Sequence, residues 1–103
     1  MAMTPPRTRP LPRPFTMPWG KGQIVEEASY SGEYHEPTVQ LLEYTEGPAR
    51  GSLSVRFCYY GHDGRFQRGP LMLNEEDVNG LRDALVQAPR LRTLLRRMVE
   101  ESP

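Results

Sequence analysis

The chain has 103 residues, 37% of them hydrophobic and 25% charged, enough for one small domain and too few for two. Thirteen Lys and Arg balance thirteen Asp and Glu, which excludes a uniformly basic surface of the histone kind. No run reaches the roughly 20 apolar residues that a membrane-spanning helix needs, so no membrane partner is expected.

The zero net charge hides a segregation. Residues 1–22 carry Arg7, Arg9, Arg13 and Lys21 and no acid, whereas Glu26, Glu27, Glu33, Glu36, Glu43 and Glu46 crowd the next thirty. Residues 1–18 also hold six of the eleven prolines. Proline removes backbone donors and favours extended polyproline conformation, so this stretch is expected to be a disordered Pro/Arg-rich arm. That leaves residues 19–103 as a single domain with a C-terminal helical extension. The lone cysteine, Cys58, cannot form an internal disulfide, and no leader pattern opens the chain; the expected location is cytoplasmic.

From Trp19 onward the pattern is strand-like. The first predicted strand runs from Gln23 to about Tyr30 and the second from Thr38 to Thr45, each ended by Gly or Pro signals. The third, Ser52 to Tyr60, alternates Leu53, Val55, Phe57 and Tyr59 with Ser54, Arg56, Cys58 and Tyr60, the period of a two-faced strand. GHDG at 61–64 reads as a tight turn into a fourth strand, Arg65 to Leu73. Asn74 followed by Glu75, Glu76 and Asp77 is a helix start, with a capping side chain and acids where the first-turn N–H groups favour them. Val78, Leu81 and Leu85 share one helical face until Pro89, which forces a kink or a restart. Beyond it Leu91, Leu94, Leu95 and Met98 oppose Arg90, Arg92, Arg96 and Arg97.

The expected fold is α+β: a four-stranded antiparallel sheet followed by a C-terminal helix, kinked or succeeded by a second helix after Pro89, and dimeric. Leu53, Val55, Phe57, Tyr59, Leu71 and Leu73 should then pack beneath Val78, Leu81 and Leu85. Arg56, Cys58, Tyr60, Phe66, Arg68 and Met72 should line the opposite face.

Catalytic chemistry finds no footing. No phosphate loop, dinucleotide fingerprint, HExxH or CxxC spacing occurs. His35 beside Glu36 lacks a nucleophile to activate, and Cys58 with His62 falls short of the three or four ligands zinc requires. The chain reads as a non-enzyme with no cofactor and no metal. What remains is a face where Arg56, Tyr60, Phe66 and Arg68 combine cations with aromatic rings, the pairing that holds single-stranded nucleic acid by phosphate contact and base stacking. Arg65 at the turn, Arg50 at the strand entrance and Tyr44 on the second strand could extend it. The same residue types also suit a protein interface.

The run VRFCYYGHDGRFQRGPLMLNEEDVNGLRDAL, residues 55–85, resembles the end of the positive-cofactor-four family of transcriptional coactivators, which is whirly-like in binding single-stranded DNA. The shared layout is an aromatic strand, a Gly-containing turn, a basic strand and a helix opened by an Asn cap, and with the two earlier strands it spans roughly residues 20–88. The resemblance implies a homodimeric β-β-β-β-α protein that binds single-stranded DNA or RNA in transcription or DNA repair. It places the family's arginine on Arg56, its stacking aromatic on Tyr59 or Tyr60, and its basic strand positions on Gln67 and Arg68. Gln67 departs from the family's Lys, and the early strands here are acidic where the family is basic; both weaken phosphate binding. The alternative is a protein–protein interaction module or small regulatory adaptor that uses the sheet face or the C-terminal helix to hold a protein partner.

Overall fold

A computed structural model describes residues 9–100. It shows an antiparallel sheet of five strands in sequential order: β1 (Arg13–Met17), β2 (Gly20–Ser29), β3 (Glu36–Glu46), β4 (Leu53–Tyr60) and β5 (Phe66–Gln67). Two helices follow, α1 (Glu75–Ala84) and α2 (Pro89–Val99), joined by one 3-10 turn over Leu85–Gln87. The α+β class and the order of sheet and helices are as the sequence predicts. Among the described residues no helix is long and apolar enough to cross a membrane.

The strand count is corrected from four to five, because β1 comes out of the segment read as a disordered arm. Its residues alternate: Phe15 turns into the sheet's own packing while Pro14 and Thr16 face solvent. Phe15 meets Tyr44 edge to face at 5.0 Å and joins Ile24 and Leu42 in a buried cluster with Met17 and Ala49. Proline is tolerated because β1 is an edge strand, where a missing donor breaks no ladder. Residues 1–8 of the expected arm lie outside the described residues.

The fourth predicted strand, Arg65 to Leu73, shrinks to Phe66–Gln67. Gly69 adopts φ +119 and Pro70 has no N–H to offer, so the chain leaves the sheet there. The Arg68 carbonyl accepts from the Tyr59 hydroxyl at 3.2 Å instead of from the ladder.

The helix start follows its local signal. Asn74 caps α1 and forms a reciprocal capping box: Asp77 N donates to Asn74 Oδ1 at 2.8 Å and Asn74 N to Asp77 Oδ2 at 3.1 Å. After α1, the Ala88 backbone turns out of the helical region and Pro89 opens α2 as its first residue, so the chain restarts instead of kinking. Ala88 has no capping side chain; Glu26, from a bulge in β2, reaches across to accept from Leu91 N at 2.9 Å.

The helices lie over β2 and β3. Ala28, Val39, Leu41, Leu81, Ala88 and Leu91 form the core between the layers, with Val55, Leu85, Leu94 and Leu95 at its margin. Gly80 lets α1 approach this closely, since a Cβ there would stand 2.0 Å from the Tyr30 ring. The helices stop short of β4. Leu53, Phe57 and Leu73, expected beneath them, are exposed, as is Val78.

Candidate functional site

Sheet register divides the predicted site residues between two faces. Arg56 pairs with Gln40, Cys58 with Thr38, and Tyr60 with both Glu36 and Phe66. These side chains therefore share the face away from the helices, as period-two counting predicts. Tyr59 and Gln67 fall on the other face, where Tyr59 meets His35 edge on at 4.9 Å. Tyr44 is buried in the Phe15 cluster, its hydroxyl accepting from Trp19 Nε1 at 2.9 Å. Arg50 is exposed in the turn before β4, at the end of that strand opposite to Phe66 and about 26 Å of strand away. The structure thus brings together Arg56, Tyr60 and Phe66, with Arg65 and Arg68 exposed beyond them.

The face they share is largely an internal network. Glu27 and Glu36 are buried on it, and their charges are met by two arginines from the start of the chain. Arg9 Nη2 donates to Glu36 Oε1 at 2.8 Å, and Arg13 forms a two-pronged pair with Glu27. Gln40 Nε2 donates to Glu27 at 2.7 Å and to the Tyr60 hydroxyl at 2.9 Å, while Arg56 Nε donates to Gln40 Oε1 at 2.7 Å. Arg13 also donates to the Tyr60 hydroxyl at 3.2 Å. Burial works against its charge, yet the hydrogen bonds and field of Glu27 and Tyr60 hold its pKa above the ordinary value.

Tyr60 is consequently unavailable as a stacking platform in this arrangement. Its ring lies under the Arg9 guanidinium at 3.7 Å, and Phe66 meets its edge at 5.5 Å. Phe66 itself is 48% exposed with the Arg56 guanidinium 5.1 Å from its centroid. Sequence reasoning missed Arg9, Arg13, Glu27 and Gln40, and weighed Glu36 only as a neighbour of His35. The available signal was charge asymmetry: a basic, acid-free start followed by acids set among apolar strand residues.

The groups weighed for catalysis are engaged elsewhere. Burial pushes the Cys58 thiol up to about 11, with Arg56 opposing, so it stays protonated and unreactive near neutrality. His35 Nε2 lies 3.3 Å from the Met72 carbonyl, and Glu36 is bound to Arg9. Among the described residues no group of three or more His, Cys, Asp or Glu is placed to hold a metal ion.

A second surface lies along the outer edge of β4. Ser52 O accepts from Tyr44 N at 3.1 Å, and Gly61 N donates to Arg65 O at 2.9 Å. Alternation along an antiparallel strand then directs the backbone groups of Ser54, Arg56, Cys58 and Tyr60 toward β3 and those of Leu53, Val55, Phe57 and Tyr59 outward. β5 pairs with Tyr59 and Tyr60 alone, so among the described residues no strand pairs with Leu53, Val55 and Phe57 on that side. Their side chains face the helix layer, with Leu53 45% and Phe57 48% exposed. Beside Leu53 an open, apolar groove of about 400 Å³ runs between β4 and α2, lined by Leu41, Leu53, Pro89, Arg90, Thr93 and Leu94.

The two sheet edges are treated differently. β1 is flanked and interrupted by Pro12, Pro14 and Pro18, which blunt it against strand addition. The open stretch of β4 has no proline, no lysine and no bulge. No family model, no curated protein and no solved structure matches this chain.

Proposed function

We propose that this chain is a non-catalytic protein-interaction module whose working surface is the open edge of β4 with the apolar groove beside it. The observation that carries this reading is the coincidence, on Leu53, Val55 and Phe57, of main-chain groups that no strand among the described residues pairs with and of apolar side chains, of which Leu53 and Phe57 stand half exposed while Val55 packs at the core margin. Strand addition draws affinity from main-chain hydrogen bonds and specificity from alternate side chains entering pockets. An edge of this kind invites pairing unless it is guarded. A cytoplasmic setting accords with the free thiol of Cys58.

The test is a photo-cross-linking amino acid at position 57 of the full chain, with position 83 on the exposed side of α1 as control. A discrete adduct from position 57 and none from position 83 is expected. Equal, diffuse adducts from both positions, or none from either, would overturn the reading.

A second reading, a coactivator-like factor that binds single-stranded DNA or RNA, is favoured by one observation: Phe66 is exposed with the Arg56 guanidinium 5.1 Å from its ring, and Arg65 and Arg68, close to it in the chain, are exposed as well. This is a shorter track than the sequence suggests, because Tyr60, Tyr44, Tyr59 and Arg50 do not extend it. Binding would rest on three arginines and one ring, so it would be weak and steeply salt-dependent. Fluorescence anisotropy of a labelled single-stranded oligonucleotide checks it. Binding at low salt that Arg65→Ala with Arg68→Ala reduces at least tenfold supports the reading, and no binding at low salt removes it.

A further inference from the structure

We infer that the strand added to β4 is β4 of a second copy of this chain, paired antiparallel about a two-fold axis through Val55. The inference rests on the edge reading above and names its occupant.

The sequence of the open stretch, Leu-Ser-Val-Arg-Phe over residues 53–57, is self-complementary under that axis. Val55 then faces its own copy, Leu53 faces the other chain's Phe57, and Phe57 faces the other chain's Leu53. All three are outward-facing backbone positions, so each pair exchanges both N–H···O bonds and no edge donor is left over. A shift of register by one residue would put outward-pointing groups opposite inward-pointing ones and forfeit these bonds. Between them, Ser54 and Arg56 face each other across the axis on the opposite side of the sheet. The single charge on the stretch therefore meets a neutral hydroxyl, not a like charge, and its head group is already held by Gln40.

Shape agrees with the same register. The groove between β4 and α2 lies beside Leu53, and Leu53 is the residue that the second copy's Phe57 would oppose. Phe57 stands on the helix side of the sheet and half exposed, so its ring would enter that groove and cover Leu53, Leu41 and Leu94. The exchange is reciprocal, as a two-fold interface requires, and it would bury an aromatic anchor at the centre of each half. No other occupant uses the edge, the exposed ring and the groove together without a new sequence to supply them.

Two measurements decide it. Sedimentation equilibrium of the full chain at micromolar to hundreds of micromolar concentration should give twice the 11.8 kDa chain mass, and Phe57→Lys, which alters a half-exposed side chain, should return the single-chain mass with its circular dichroism unchanged. The register is read by disulfide formation in a Cys58→Ala background. Val55→Cys should link two chains on mild oxidation, because its copies would stand about 5.5 Å apart at Cα. Leu53→Cys should not, because its copies would be separated by roughly 14 Å. A single-chain mass at the highest concentration, a dimer that survives Phe57→Lys, or linkage equally efficient from position 53 overturns the inference. The wider reading is judged apart: a single-chain mass together with a position-57 adduct to a protein of different mass leaves the interaction module standing and removes the second copy, whereas no adduct removes both.

Discussion

Arg9 is the residue on which most of the polar face depends. Its side chain is 9% exposed and that of Glu36 5%, and the same guanidinium reaches Ser29 Oγ at 3.2 Å and covers the Tyr60 ring. Removing one partner of a buried ion pair leaves the other charge without compensation, a loss of about 3 to 5 kcal/mol. Arg9→Ala should therefore lower the unfolding free energy in urea by about 3 kcal/mol, while the double variant Arg9→Ala with Glu36→Gln should lose less than Arg9→Ala alone. A loss in the double variant equal to the sum of the two single variants' losses would show that the pair is not coupled. Cys58 sets a pH limit. Its thiol is held up to about 11 in the folded chain, against 9.0 when unperturbed. Above pH 9 the unfolded chain releases a proton that the folded chain retains. Its contribution is full below about pH 9 and is lost as pH climbs through 11. Thermal melts between pH 8 and 11 should show that decline, and Cys58→Ala should flatten it.

Among the secondary-structure elements, α2 depends most on a distant residue. Its first turn has no local cap, and Glu26 supplies the acceptor to Leu91 N from the bulged strand β2. Losing a helix N-terminal acceptor costs about 1 kcal/mol, so Glu26→Ala should destabilise by that order and speed amide exchange at Leu91 more than within β3. For α1, Gly80→Ala should destabilise although alanine is the better helix former by about 1 kcal/mol, since the Tyr30 ring must leave its place and its hydrogen bond to Glu76. With Tyr30→Ser present, the same substitution should become stabilising. These elements also show what a single sequence reveals. The alternation of Leu53–Tyr60, the Asn74 cap with its first-turn acids and the break at Pro89 are local signals, and each is realised. β1 was hidden because proline argues against strand and because Phe15 finds its partners, Tyr44 and Leu42, nearly thirty residues away. β5 was overextended because apolar Leu71 and Leu73 continue the period past Gly69 and Pro70. Of the candidate site, the facing of Arg56, Tyr60 and Phe66 was legible from parity. Their engagement with Gln40 and Arg9 was not, since it depends on β3 and on chain preceding β1. The free edge of β4 follows from where β5 stops, which periodicity alone does not fix.

At the scale of the whole molecule, the sheet carries two different packings, and only one is covered by helices. The other consists of the Phe15 cluster and the arginine–glutamate network, both completed by residues 9–17. Removing residues 1–18, the segment whose composition reads as a disordered arm, would take away Phe15, Arg9 and Arg13 together. A buried aromatic ring contributes about 2 to 3 kcal/mol. Stranding Glu27 and Glu36 without their arginines costs at least as much again. The sum is of the same order as the roughly 5 to 15 kcal/mol that holds a small domain together, so the shortened chain should lose its cooperative melt and expose Ile24, Leu42 and Tyr44 to hydrophobic dye. A cooperative transition within a few degrees of the full chain would contradict this account. The basic start of the chain and the acidic strands that follow are then two halves of one neutralised face. Within that face Arg9 and Arg13 neutralise Glu27 and Glu36, while Lys21, Arg50, Arg65, Arg68, Arg82 and the arginines of α2 stay exposed.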